Sequence, residues 1–282
     1  MSRFSELLAS DKTIFLDGAM GSLLQKRGLP KGERSDLMNF RAPEAVEAIH
    51  RLYVEAGSDI ILTNSLGANA HALNGTEYTP RDVIKAAIEN ARRAAGPDTL
   101  IALDIGPVGI LFEPVGDNPL ETAYELFAEQ VRAGAELGAD LIFIETMSDL
   151  AETTAAIRAA RENSDLPVLA AMTFGKDGRT YLGVSPTEFA AAAEALGVAA
   201  VGLNCSSTPE FMLETAREFR AATSLPLIVK LNAGLPDADG EYSVTPEAYA
   251  AQLEPYRELD VHFLGSCCGS DERFIRQLKQ NF

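Results

Sequence analysis

The sequence predicts an α/β fold, a single-domain (β/α)8 TIM barrel, and three observations carry that prediction. Eight short apolar, strand-type runs alternate with eight helix-type segments along the chain. The runs are continuous in Val, Ile, Leu and Phe rather than alternating with polar residues, which marks a parallel sheet covered on both faces. The units recur at roughly 30-residue intervals, and about 250 residues in eight such units is the usual size of a closed barrel. A doubly wound open sheet is the alternative. It calls for Gly-x-Gly-x-x-Gly after an early strand, where this chain has only Gly18-Ala19-Met20-Gly21. No linker or low-complexity stretch divides the 282 residues, so residues 1–282 are read as one domain.

Taken in order, residues 1–12 read as a short amphipathic lead-in with Phe4, Leu7 and Leu8 on one face. The strands follow at Thr13–Leu16, Ile60–Thr63, Leu100–Leu103, Leu141–Ile144, Val168–Met172, Ala200–Leu203, Leu227–Leu231 and His262–Leu264. Helices are expected from Pro43 to Tyr53, Pro80 to Ala95, Leu120 to Leu137, Asp149 to Glu162, Pro186 to Leu196, Pro209 to Arg220, Pro246 to Glu258 and Asp271 to Lys279. Five of these begin at proline, which suits the first helical turn because its missing N–H would have no partner there.

Composition narrows the function. A net charge of −17 and a pI near 4.6 argue against nucleic acid and anionic membrane surfaces, both of which attract basic patches. No segment reaches the length of a membrane span, and the N-terminal Met1-Ser2-Arg3-Phe4-Ser5-Glu6 lacks a signal-peptide layout. Three cysteines, an odd and low number, fit a reducing cytoplasm.

Those cysteines lie just past strand ends, Cys205 after the sixth strand and Cys267-Cys268 after the eighth. Adjacent cysteines are poorly placed to pair with each other. Three thiols from two strand ends could hold one soft ion, Zn²⁺ with an open fourth position, or they could be buried small hydrophobes. An ion with three thiolates is a poor Lewis acid. It suits binding a substrate thiol, lowering its pKa and keeping its sulfur nucleophilic, with methyl transfer to sulfur as the simplest reaction.

In a barrel the site forms at the C-terminal strand ends. Here those ends carry Asp17, Asn64, Asp104, Glu145, Thr173, Asn204 with Cys205, Asn232, and Cys267 with Cys268. For a thiol that is an amino acid, Asp17 and Glu145 could receive the ammonium, and the N–H groups of Gly18, Ala19 and Met20 could bind the carboxylate. Asp17 could equally be a turn or cap residue.

Several segments resemble the homocysteine S-methyltransferases: Leu16-Asp17-Gly18-Ala19-Met20-Gly21, Gly57 through Asn64, Asp104-Ile105-Gly106-Pro107, Glu145-Thr146, Gly202-Leu203-Asn204-Cys205, Asn232-Ala233-Gly234 and Cys267-Cys268-Gly269. The likeness spans almost the whole chain and is closest to the N-terminal homocysteine module of cobalamin-dependent methionine synthase. The resemblance implies zinc held by Cys205, Cys267 and Cys268, and L-homocysteine as methyl acceptor with its amino group on Asp17 and Glu145. It also implies an Asn232 oxygen on zinc when substrate is absent, and a place in methionine biosynthesis.

This sequence departs from the family pattern at Ser266, where a second glycine is usual, and at Lys230-Leu231, where an acidic residue and proline are usual. The chain ends where methionine synthase continues into folate, corrinoid and activation modules. The expected donor is therefore a methyl-corrinoid (methylcobalamin) on a separate protein partner. S-Methylmethionine is the next alternative, and betaine follows because quaternary ammonium sites favour aromatic faces and this chain has no Trp.

Two readings from other classes stay open. In a metal-free aldolase Lys230 would form a Schiff base; the alternative is that strand alternation points it outward, as a solvated residue only. A non-catalytic subunit would bind homocysteine or zinc without turnover. His50, His71 and His262 are read as surface or packing residues.

Overall fold

Eight parallel strands form one sheet in the computed structural model, which describes residues 2–10, 12–30, 32–237 and 241–282. Met1 and Asp11 of the expected lead-in lie outside the described residues. The strands are β1 (Ile14–Phe15), β2 (Ile60–Leu62), β3 (Leu100–Ile105), β4 (Leu141–Met147), β5 (Val168–Met172), β6 (Ala200–Asn204), β7 (Leu227–Leu231) and β8 (Val261–Ser266). Their order, β1-β8-β7-β6-β5-β4-β3-β2, is that of a (β/α)8 barrel, as the sequence predicts.

The ladder has one seam. No strand pairing joins β1 to β2 among the described residues, and two aspartates bridge the gap. Asp59 donates its N–H to Phe15 O (2.7 Å) and accepts the Phe15 N–H on Oδ2 (2.8 Å). Asp17 Oδ2 accepts the Leu62 N–H at 2.8 Å. Buried backbone donors need partners, and here side chains replace a missing ladder.

The helices are α1 (Arg3–Leu8), α2 (Gly21–Lys26), α3 (Met38–Arg41), α4 (Pro43–Ala56), α5 (Pro80–Ala94), α6 (Leu120–Glu136), α7 (Leu150–Asn163), α8 (Pro186–Ala195), α9 (Pro209–Ala222), α10 (Pro246–Leu253) and α11 (Glu272–Asn281). Proline opens α4, α5, α8, α9 and α10. Two differences from expectation have local causes. The helix expected to reach Glu258 ends at Leu253 and continues as a 3₁₀ turn over Glu254–Leu259, because Pro255 cannot donate to a helical carbonyl. The short helices α2 and α3 lie in the connection between β1 and α4, where glycine, proline and charged residues hide any apolar period.

Strand alternation divides the core in two. Phe15, Ile61, Ile101, Leu103, Ile142, Ile144, Val201, Leu203, Leu227, Val229 and Leu231 face outward and pack under the helices. Ile14, Leu16, Ile60, Leu62, Leu100, Ala102, Leu141, Phe143, Leu169, Ala171, Ala200, Ile228 and Phe263 fill the barrel interior. The lead-in forms α1, and its Phe4 joins this inner cluster with its ring centroid 6.4 Å from that of Phe263. Among the described residues the N-terminal end of the barrel is therefore plugged, and the cavity lies at the opposite end.

Buried tyrosines tie the outer helices to that open end. Tyr53 Oη on α4 donates to Ala19 O (2.9 Å), and Tyr249 Oη on α10 lies within 3.0 Å of Leu231 O and 2.9 Å of Gly265 O. Gly202, in β6, has no room for a side chain: a Cβ there would lie 2.0 Å from Ile228 O. Gly202→Ala is expected to cost about 3 kcal/mol through the overpacking it forces, read as a lowered midpoint in urea unfolding with the m-value unchanged.

Candidate active site and metal centre

The open end holds a cavity of about 180 Å³ lined by Asp17, Gly18, Asp104, Glu145, Lys230 and the three cysteines, among others. Larger grooves of about 470 and 560 Å³ lie elsewhere and contain none of the cysteines.

The thiols converge. The Sγ atoms of Cys205, Cys267 and Cys268 all lie within 4.8 Å of one another, with Cys205 Sγ 3.7 Å from Cys268 Sγ. Tetrahedral zinc with Zn–S bonds of about 2.3 Å sets its sulfurs about 3.8 Å apart, so the spacing suits a shared ion. No histidine, aspartate or glutamate joins them in a ligand group among the described residues. The cluster favours one ionised sulfur: Cys205 hydrogen-bonds to Cys268 and helps bring its pKa down to about 3. Cys267 is pushed up to about 11 and Cys205 higher still.

The backbone around β7 fixes the trio. Cys205 donates its N–H to Lys230 O (3.1 Å), Cys267 donates to Leu231 O (2.7 Å), and Cys268 O accepts from Ala233 N–H (2.9 Å). Cys205 sits at φ 46°, and Thr146, next to Glu145, at φ 62°. Both are left-handed backbone, which costs a non-glycine residue about 1 kcal/mol or more and persists only when its surroundings hold it. Asn204 does the holding. Its Oδ1 accepts the Thr146 N–H (2.7 Å), and its Nδ2 donates to Thr146 Oγ1 (2.9 Å). One buried amide thus locks the end of β4 against the residue that precedes Cys205.

Charge fills the opposite wall. Asp104, Glu145, Lys230 and Cys267 continue the inward-facing positions of β3, β4, β7 and β8, one layer above Ala102, Phe143, Ile228 and Gly265. Lys230 is 2 % exposed, with Nζ 3.4 Å from Glu145 Oε2 and 3.8 Å from Asp17 Oδ1. Of the two directions open to it from the sequence, it takes the inward one. Ile228 faces the interior, and Lys230 shares its side of the strand. Burial raises Asp17 and Glu145 to about 7 and Asp104 well above the carboxylate range. Burial alone would lower Lys230, but Glu145, Cys267, Asp17 and Asp104 together raise it well above an ordinary lysine. Asp17 Oδ1, Asp104 Oδ1 and Glu145 Oε2 are buried without a hydrogen-bond partner.

The other sequence candidates take varied places. Gly18 and Ala19 line the cavity, but the Ala19 N–H donates to Ser270 Oγ (3.2 Å) and is not free for a carboxylate. Asn232 is buried, donates to Ser206 O, and leaves Oδ1 unbonded. Asn64 and Thr173 hold loops, through Ser35 O and Asn204 O. Ser266 is fully buried, with Oγ 2.7 Å from where a Cβ on Gly18 would stand, so the serine occupies room that Gly18 leaves. His50 is buried in α4, while His71 and His262, the latter near the start of β8, lie outside the cavity lining. The sequence offers Lys230 only as a Schiff-base former or a solvated residue, places Asp104 at a strand end without a specific role, and gives no sign of the Asn204–Thr146 clamp. Counting every second residue from Ile228 and Ala102 finds the first two, but nothing in the sequence signals the clamp.

Residues 14–282 match the homocysteine S-methyltransferase family profile. The chain belongs to the homocysteine S-methyltransferase family. Among curated relatives of this family member, the methionine synthases of Mycobacterium tuberculosis and Mycobacterium leprae are each 31% identical, over 292 and 285 residues. The alignments cover 95% and 93% of this chain but 24% of each relative, so the chain spans about a quarter of their length. Among solved structures, the metallated homocysteine methyltransferase MmuM from Escherichia coli superposes with a TM-score of 0.85, covering 100% of both chains at 21% identity. At that identity the likeness speaks for the barrel alone.

The clamp is testable. Asn204→Ala removes two buried hydrogen bonds and is expected to cost about 2 kcal/mol of stability. It should also loosen metal retention roughly tenfold, the usual effect of losing a residue that orients a ligand. Urea unfolding and competition with a chromogenic chelator measure the two effects separately.

Proposed function

We propose that this chain is a zinc-dependent S-methyltransferase that moves a methyl group to the thiolate of L-homocysteine, giving methionine. The observation that carries the reading is the meeting of three thiols within 4.8 Å at a cavity whose opposite wall is acidic. One side suits a soft ion and the other an ammonium, and homocysteine carries both a thiol and an ammonium.

The donor set fits Zn²⁺. Cys205, Cys267 and Cys268 would hold it, and the unbonded Asn232 Oδ1 is a candidate oxygen for the substrate-free state. When bound, zinc would lower the pKa of a thiol entering its open position and keep that sulfur nucleophilic at neutral pH. The chain's own residues then orient the substrate. Asp17 and Glu145 receive the ammonium, and the backbone at Gly18 and Met20 approaches the carboxylate. Ala19 assists indirectly, because its N–H is spent on Ser270 Oγ and fixes the turn. In the transfer the acceptor loses its thiol proton, a sulfur–methyl bond forms, and the donor keeps the electron pair of the bond it loses. The neutral thioether binds soft metal more weakly than a thiolate and is released.

For the donor we propose a methyl-corrinoid presented by a protein partner, in a reducing cytoplasmic setting that keeps the thiols free. Two observations support this reading. The sequence likeness to methionine synthases is 31%, and the cavity offers no Trp face for a quaternary ammonium. The described residues contain no helix long and apolar enough to cross a membrane.

The test is methyl transfer from three donors in parallel, using zinc-loaded protein and L-homocysteine. Methylcobalamin, free or protein-bound, is expected to give methionine fastest, followed by S-methylmethionine. Activity with betaine alone would overturn the donor assignment. Homocysteine binding without product from any donor would replace the enzyme with a binding subunit.

A further inference from the structure

Among the described residues, Lys230 is the one cation in the cavity lining, and it faces three buried carboxylates, a group with net charge minus two when all four ionise. Its Nζ stands 3.4 Å from Glu145 Oε2 and 3.8 Å from Asp17 Oδ1. A charge-assisted N–H···O bond is about 2.7–2.9 Å, so the lysine offsets their charge without filling their lone pairs. Asp17 Oδ1, Asp104 Oδ1 and Glu145 Oε2 all remain without a hydrogen-bond partner although each residue is at least nine-tenths buried. A free ammonium brings three donors, the same number as these open acceptors. Room for the lysine is built in: a Cβ on Gly265 would lie 3.2 Å from Lys230 Cγ.

We propose that Lys230 is a specificity-determining residue, a resident cation seated against Asp17 and Glu145 that an incoming substrate ammonium must share them with. The inference rests on the reading above that the pocket takes an amino-acid thiol, and it deepens that reading in two ways. Asp104 becomes the third acceptor for the ammonium. The selectivity of the site for α-amino ligands is set by competition with an internal lysine, and not by the carboxylates alone. A ligand lacking the ammonium leaves Lys230 undisturbed, while one carrying it must enter beside a like charge, which lowers its gain.

The test needs neither zinc nor turnover. Calorimetry on metal-free protein compares L-methionine with 4-(methylthio)butanoate, the same molecule without its ammonium. Wild-type protein is expected to prefer L-methionine, and Lys230→Met is expected to raise that preference at least tenfold. Should the single variant fail to fold, Lys230→Met combined with Asp104→Asn removes one buried carboxyl together with the cation. It too is expected to exceed the wild-type preference, because Asp17 and Glu145 no longer serve a second cation. Equal binding of both ligands by wild-type protein would overturn the amino-acid reading of the pocket. A wild-type preference that does not rise in whichever variant folds would overturn the role of Lys230 and leave that reading intact.

Discussion

Every second residue of a barrel strand must point inward, and in this chain that constraint assembles the chemistry. The lower interior is apolar, built from residues such as Ile14, Leu100, Leu141, Leu169 and Phe263, and α1 closes it from below. The same alternation carried to the open end places Asp104, Glu145, Lys230 and Cys267 in one layer. Water reaches this layer poorly, so each charge must answer to its neighbours. The carboxylates are pushed upward by burial and restrained by Lys230, and Lys230 in turn is held charged by them.

Around that layer the backbone is fixed by side-chain hydrogen bonds. Asp17 serves twice, closing the β1–β2 seam through Oδ2 and presenting Oδ1 to the cavity. Asn204 joins two left-handed residues that a regular strand would not tolerate. Ser270 bridges the turn after β1 to the cysteine pair, accepting from Ala19 N–H and donating to Cys267 O (2.7 Å). The acidic wall and the thiol wall are thus linked through short covalent and hydrogen-bonded paths, which is how two clusters from distant parts of the sequence keep a common geometry.

Much of this was legible in the sequence, for identifiable reasons. Val168–Met172 and Leu227–Leu231 stand where their apolar runs put them, because a strand buried on both faces has nothing but apolar residues between its turns. The convergence of Cys205 with Cys267 and Cys268 followed from their positions at strand ends. That same uniform burial hid the direction of Lys230. In a run such as Leu-Ile-Val-Lys-Leu, both faces are apolar, so the pattern does not say which one is inside until a neighbouring strand sets the register. The helix expected through Glu258 failed at Pro255, a residue whose effect was readable. The Asn204 clamp was not readable, because it depends on positive φ angles at Thr146 and Cys205 that their residue types do not favour.

The proposed chemistry depends on three sulfurs sharing one ion with a position left for a fourth ligand. X-ray absorption at the zinc edge of the zinc-loaded protein measures that directly. Three sulfur neighbours at about 2.3 Å with one lighter atom are expected, with a fourth sulfur replacing the lighter atom on addition of L-homocysteine. Fewer than three sulfurs in the substrate-free protein, or a shell indifferent to L-homocysteine, would contradict it.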